Sequence, residues 1–308
     1  MKRPEKNSLR GRGRRPTAGI LFCAACGLLC LLCWTSQAMA QWPRIAVSKD
    51  GTPISYEVFG SGEPTLVFVH GWSCDSRYFR MQVPLFSQKH RVIVLDLAGH
   101  GHSGASRQVY SMRSFGEDVR AVVEAEKGSN VILIGHSMGG SVIAEAARLM
   151  PGQVIGLIGV DTLNNIEYPL SRKEFEEMIA PLRKDFRQGT RAFVAPMLLP
   201  DADPALRDWI LADMSSAPPS VALSAMEQMM NLYITGKAAK IFKDVSAPVV
   251  CVNADLWPVN TEANRKHMRS FDVIVIPKAD HFLMLNRPEE FNLALEKAIR
   301  VLSEKPAK

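Results

Sequence analysis

One short segment constrains the fold of this chain more than any other: the run Gly135-His136-Ser137-Met138-Gly139-Gly140. It follows the apolar stretch 130–134 and precedes a helical pattern over 141–150. A serine on a sharp turn between a strand and a helix needs neighbours almost without side chains, and Gly135 and Gly139 meet that need. The segment therefore predicts a nucleophile elbow that exposes Ser137. The alternative is a glycine-rich turn whose serine only caps the helix.

A proton acceptor for such a serine is predicted near the end of the chain. His281 follows the apolar stretch 271–276 and precedes a helix start at about residue 286. It is therefore expected on a loop at the carboxyl end of a strand, where catalytic groups gather in open α/β sheets. In proteins with a nucleophile elbow, the catalytic residues follow one another along the chain as serine, acid and histidine. We therefore interpret His281 as the general base.

Two aspartates are candidates for the acid that would orient His281. Asp255 ends the apolar stretch 247–254, and Asp161 ends the stretch 154–160. The strand before Asp255 immediately precedes the strand that leads to His281, which favours adjacent loops. Asp255 is therefore the predicted acid, and Asp161 is the alternative.

An oxyanion hole requires two backbone N–H groups, one directly after the nucleophile and one from the loop after an earlier strand. The predicted donors are Met138 and Trp72, the latter following His70-Gly71. The indole of Trp72 and the ring of Phe282 are expected to line the substrate pocket. Two further histidines, His100 and His102, lie on a glycine-rich loop without a carboxylate or cysteine cluster at ligand spacing, so neither a metal nor a cofactor is expected.

Together these motifs resemble the α/β-hydrolase superfamily, in its serine-nucleophile esterase, lipase and lactonase branch with a helical cap. The resemblance covers about residues 45–302 and rests on His70-Gly71, the 96–104 loop, the Ser137 elbow and Asp280-His281-Phe282. Serine at the elbow counts against the dehalogenase and epoxide-hydrolase branches, which have aspartate there. The resemblance implies a small-molecule ester or lactone substrate.

The order of patterns predicts an α/β fold with a mostly parallel, doubly wound sheet. Stretches 45–48 and 54–59 indicate an opening hairpin, after which strand and helix patterns alternate. The alternation stops between residues 162 and 243, where helical periodicity predicts a cap of three or four helices at about 163–243. Six methionines fall in this interval, and methionine adapts to irregular apolar shapes.

The charge is concentrated at the amino terminus. The chain has a net charge of +6, and residues 1–40 contain seven basic residues and one acidic residue, so that 30 of each remain elsewhere. The remainder is neutral overall, which argues against binding to nucleic acid or to an anionic membrane. Two of the six cysteines, Cys74 and Cys251, lie beyond residue 40 and are expected to be free and buried.

Residues 1–40 have the pattern of a signal peptide: a basic start, the apolar run 18–34, and Ala38-Met39-Ala40 before Gln41. We therefore expect a hydrolase domain at 41–308 that is exported to the periplasm or secreted. The alternative is an uncleaved segment that anchors the chain to a membrane.

The predicted activity is hydrolysis of carboxylic esters or lactones of largely apolar small molecules through an acyl-enzyme. A hydrolase-fold binding or signalling protein with little turnover is one alternative. A cofactor-free perhydrolase or haloperoxidase is another. The sequence does not indicate the oligomeric state or the physiological substrate.

Overall fold

A computed structural model describes residues 43–304. The predicted leader and its cleavage site therefore lie outside the described residues. Within residues 43–304, no helix combines the length and the apolar character that crossing a membrane requires.

The described residues form an eight-stranded sheet that confirms the predicted fold class. Its strands in chain order are β1 (Arg44–Val47), β2 (Pro53–Phe59), β3 (Thr65–Val69), β4 (Val92–Leu95), β5 (Val131–His136), β6 (Val154–Val160), β7 (Val249–Ala254) and β8 (Phe271–Ile276). The spatial order is β1-β2-β4-β3-β5-β6-β7-β8. β1 and β2 form the predicted antiparallel hairpin, and β2 also pairs antiparallel with β4. The other six strands, β3 to β8, pair only in parallel with one another.

Helices follow most of the strands. They are α1 (Val83–Phe86), α2 (Met112–Ala125), α3 (Met138–Leu149), α4 (Arg172–Lys184), α5 (Phe186–Val194), α6 (Pro204–Met214), α7 (Pro219–Ile234), α8 (Lys237–Lys243), α9 (Thr261–His267), α10 (Leu283–Asn286) and α11 (Pro288–Ser303), with 3-10 turns at Ser76–Phe79 and Ala195–Met197. Strands β3, β4, β5 and β7 are buried over their whole length, as expected where both faces of a parallel sheet are covered.

The register brings the functional loops to one edge of the sheet. Val69 of β3 pairs with Gly135 of β5, and His136 pairs with Val160 of β6. The carboxyl ends of these strands therefore lie side by side, and the chain leaves them into the loops that carry the predicted site residues.

The interval between β6 and β7, described throughout, holds five α-helices, α4 to α8, and one 3-10 turn. This is at least one helix more than the sequence predicts. We call α4 to α8 with their connections the cap.

Candidate active site

Ser137 occupies a sharp turn between β5 and α3. Its backbone angles are φ 53° and ψ −117°, a conformation that costs a residue with a side chain about 1–3 kcal/mol. Two contacts hold it: the Ser137 N–H donates to the carbonyl of Val160 at 3.0 Å, and Thr162 Oγ1 donates to the Ser137 carbonyl at 2.8 Å. The surrounding strands thus keep the serine in the strained turn.

Glycines permit the close approach of two loops at this turn. A Cβ on Gly139 would lie 2.6 Å from the carbonyl oxygen of Val69, closer than side chains are found. A Cβ on Gly71 would lie 2.8 Å from Nδ1 of His136 and 3.2 Å from Cβ of Ser137. The loop after β3 therefore packs directly against the elbow.

His281 is hydrogen-bonded to Asp161. Its Nδ1 lies 2.6 Å from Asp161 Oδ2, and Asp161 is only 2% exposed. The other carboxylate oxygen, Oδ1, accepts the N–H of Ala254 at 2.9 Å. Both carboxylate oxygens are therefore occupied, and the imidazole has one fixed partner at Nδ1.

The prediction that Asp255 contacts His281 is wrong. Asp255 is exposed, and its Oδ2 accepts the N–H of Lys278 at 3.0 Å. The loops after β7 and β8 are neighbours, as expected, but the chain after β8 turns back across β7 towards the elbow, where the His281 carbonyl lies 2.9 Å from Nε2 of His136. That return brings His281 to the carboxylate of the alternative acid, Asp161.

His70 fixes the predicted oxyanion loop, a role that the sequence prediction missed. Its Nδ1 donates to the carbonyl of Gly71 at 2.8 Å, and its Nε2 accepts the N–H of Leu97 at 3.0 Å. Burial lowers the pKa of His70, which keeps the ring neutral. Because a trans peptide directs its N–H away from its C=O, holding the Gly71 carbonyl also fixes the direction of the Trp72 N–H.

The second predicted oxyanion donor is Met138, the first residue of α3. The N–H groups of the first helical turn have no carbonyl partner within their own helix. The positive end of the helix dipole also favours negative charge at this position. The structure therefore places the Met138 N–H in the first turn of α3, directly after Ser137.

Ser137 and His281 line one cavity of about 140 Å³ beneath the cap. Trp72 and Phe282, the predicted pocket residues, both line it, as does Cys74. The cap contributes Phe193, Met197, Met214, Met226, Met229 and Met230. The lining therefore consists mainly of aromatic and thioether side chains.

The cap is bonded to both loops of the site. The Trp72 indole Nε1–H donates to the carbonyl of Ala222 in α7 at 2.7 Å, and the N–H of His281 donates to the carbonyl of Met197 at 3.1 Å. The indole also makes edge contacts with two phenylalanines of α5. The closed cap thus supports the site as well as covering it.

Among the remaining predicted residues, His100, His102 and Cys251 do not line this cavity. His100 is buried with its Nδ1 donating to the carbonyl of Ala98, and His102 is largely exposed beside Asp96. Cys74 and Cys251 are free and buried, as expected, and burial raises the pKa of both thiols. A larger open cleft of about 950 Å³ lies at the amino ends of the strands, away from the elbow.

A buried ion pair that the sequence prediction missed fixes the loop after β4. The guanidinium of Arg107 binds both carboxylate oxygens of Asp118 in α2. Asp118 also accepts bonds from Ser48 Oγ at 2.6 Å and from the N–H of Ala98 at 3.1 Å. This cluster joins the turn after β1, helix α2 and the loop that packs beside His70.

The parallel sheet, the strained serine turn and the histidine–aspartate pair at the carboxyl edge define an α/β hydrolase. Residues 66–294 match the model of the Alpha/beta hydrolase family, and the chain belongs to that family.

The chain is also similar to individual known proteins. It is 26% identical to the pimeloyl-[acyl-carrier protein] methyl ester esterase of Aeromonas hydrophila over 253 residues, which cover 77% of this chain and 96% of that protein. Its fold matches a thermophilic esterase from Thermogutta terrifontis (TM-score 0.70, 24% identity, covering 85% of this chain and 100% of that one). It also matches a bromoperoxidase from Bacillus anthracis (TM-score 0.72, 21% identity, covering 84% and 100%).

Proposed function

We propose that the protein is a serine hydrolase that cleaves short, uncharged carboxylic esters or lactones through an acyl-enzyme. The observation that carries the proposal is the 2.6 Å contact between His281 and Asp161 at the cavity that Ser137 also lines. An oriented imidazole beside a strained serine is the arrangement that nucleophilic acyl transfer requires.

In this mechanism Ser137 Oγ attacks the substrate carbonyl carbon while His281 takes the hydroxyl proton. The N–H groups of Trp72 and Met138 stabilise the oxyanion of the tetrahedral intermediate. Collapse of the intermediate breaks the bond to the alcohol oxygen, which receives the proton from His281. A water molecule, deprotonated by His281, then attacks the acyl-enzyme carbonyl. The bond between the acyl carbon and Ser137 Oγ breaks, Oγ takes the proton back from His281, and the acid is released. Asp161 stabilises the imidazolium that forms in each half-reaction.

The size of the cavity supports a short acyl group. A dry cavity of about 150 Å³ in another protein binds benzene, which has six heavy atoms. The present cavity of about 140 Å³ therefore fits an acyl chain of about four to six carbons.

The chemistry of the cavity supports an uncharged acyl group. Among the described residues that line it there is no Lys, Arg, Asp or Glu. A carboxylate on the acyl chain would be buried without a partner, which is costly. Neutral esters and lactones are therefore the favoured class.

The test is the hydrolysis of p-nitrophenyl butyrate by the Ser137→Ala variant. We expect a loss of at least about a thousandfold in kcat, because losing the nucleophile removes the covalent route. Ser141→Ala is the matched control, since Ser141 lies in α3 one helical turn further on, and it should retain activity within about threefold. Retention of activity within about tenfold by Ser137→Ala would contradict the proposal.

The same assay separates the enzyme from a binding protein on this fold. An enzyme gives steady-state turnover that continues beyond one product per chain. A single burst of product followed by negligible turnover would favour the binding or signalling alternative. Measuring peracid formation with added hydrogen peroxide tests the perhydrolase alternative on the same protein.

A further inference from the structure

His136, the residue before the proposed nucleophile, is buried between the two loops that complete the site. It ends β5 and is 1% exposed. Its Nε2 lies 2.9 Å from the main-chain carbonyl of His281. Because a carbonyl oxygen only accepts, Nε2 carries the proton of the neutral ring.

The other side of the His136 ring faces the oxyanion loop. Nδ1 is buried and has no hydrogen-bond partner among the described residues. Gly71 lies against it so closely that an added Cβ would be 2.8 Å from Nδ1. Burial and the neighbouring His281 lower the pKa of His136 well below its usual value, so the ring stays neutral. The ring therefore acts as an uncharged spacer between Gly71 and the His281 loop.

The bond to His136 completes the support of the His281 main chain. The His281 N–H donates to Met197 of the cap, and its C=O accepts from His136. The two imidazole rings are also in contact, with centroids 4.7 Å apart and planes at 46°. With both main-chain groups held and Nδ1 bonded to Asp161, the His281 ring has one orientation.

We propose that His136 is a positioning residue that holds His281 in register with Ser137 through its Nε2–H···O=C bond. This inference rests on the proposed function, since it concerns the same site. Without this bond, the main-chain carbonyl of His281 loses its hydrogen-bond donor, and the His281 loop can shift. A displacement of about 1 Å at a catalytic group can cost about a hundredfold in rate.

Three variants test this role. His136→Phe keeps a ring of similar shape but has no donor. His136→Gln places an amide donor near the position of Nε2, whereas His136→Asn places it near Nδ1, too short to reach the His281 carbonyl. His90→Phe is the control, because His90 lies at the far end of the sheet, where its Nδ1 is 3.2 Å from the Pro64 carbonyl.

We expect His136→Phe to lower kcat on p-nitrophenyl butyrate by at least about tenfold. KM should change less than about twofold, because the phenyl ring keeps the shape of the side chain that His136 contributes to the cavity lining. His136→Gln should recover most of the loss, and His136→Asn should not. The rate of covalent labelling by a fluorophosphonate should fall in parallel with kcat, since it depends on the same serine and histidine.

The proposal is overturned if His136→Phe stays within threefold of the parent, or if Gln is no better than Asn. If His136→Phe does not fold, as judged by its melting transition, the ratio of kcat between Gln and Asn decides: tenfold supports the proposal and equality overturns it. If none of the three folds, His136 is a folding residue and the proposal fails. Activity in Ser137→Ala would instead refute the proposed function itself.

Discussion

Replacing Asp161 by asparagine tests the proposed acid through a constraint that the structure imposes on the new amide. The N–H of Ala254 donates to Oδ1 of Asp161 at 2.9 Å, and His281 Nδ1 lies at 2.6 Å from Oδ2. An amide at this position must direct its oxygen to the Ala254 N–H, because two donors would otherwise face each other. Its NH₂ group then faces His281.

An NH₂ group at that place requires His281 Nδ1 to accept, so the ring proton moves to Nε2, where Ser137 needs an acceptor. In the best-studied serine protease, the equivalent change lowers kcat by about ten-thousandfold, which is about 5 kcal/mol of transition-state stabilisation. We expect Asp161→Asn to lose at least about a hundredfold in kcat at neutral pH, the smaller figure allowing for water entry beside the amide.

The assay is kcat on p-nitrophenyl butyrate, and Asp255→Asn is the matched control. Asp255 is exposed and accepts only main-chain N–H groups near Lys278, so the amide should retain activity within about threefold. The reasoning is refuted if Asp161→Asn keeps activity within tenfold, or if Asp255→Asn loses more than Asp161→Asn does.

Three further results are expected. Asp118→Ala should lower the free energy of unfolding in urea by about 3 kcal/mol, because it leaves the buried Arg107 with the exposed Asp50 as its remaining carboxylate partner. Removing the exposed Asp272 should cost less than about 1 kcal/mol, and equal losses would contradict this. The kcat/KM of the enzyme for p-nitrophenyl octanoate should be at least about tenfold lower than for p-nitrophenyl butyrate, and Met229→Ala should reduce this ratio. Equal kcat/KM values for the two esters would contradict a pocket for short acyl groups. Amino-terminal sequencing of the exported chain should begin at Gln41, and a chain that stays whole in the membrane fraction would favour the anchor.

The elbow could be predicted from the sequence because its requirements are local. A strand, a glycine on each side of Ser137 and a following helix occur within about twenty residues, and each leaves a pattern. The parallel sheet could be predicted for a similar reason, since its buried strands are short apolar runs separated by helical patterns.

The acid could not be assigned because its choice depends on a contact distant in the chain. Strand order correctly makes the Asp255 loop the neighbour of the His281 loop. What decides the partner is the return of the chain after β8 to His136, a bond across 145 positions. No local pattern records that bond.

His70 and His136 belong to two motifs, the oxyanion loop and the Ser137 elbow, in which the sequence predicts roles for other residues. Each imidazole bonds a main-chain carbonyl, at Gly71 and at His281 respectively. Such bonds depend on the final path of the backbone, so the sequence marks where a histidine is but not which carbonyl it meets. The signal that could have found them is the placement of each histidine directly beside a glycine or serine of a catalytic motif.

The cap supports Trp72 and His281 through two main-chain carbonyls, those of Ala222 and Met197. A carbonyl is present at every position whatever the side chain. The side chains of Met226, Met229 and Met230 can therefore change without removing an acceptor on which either loop depends. In the cap, side chains line the acyl pocket, whereas main-chain carbonyls hold the two loops of the site. A library that varies only these three side chains should therefore yield new acyl preferences while both loops stay in place.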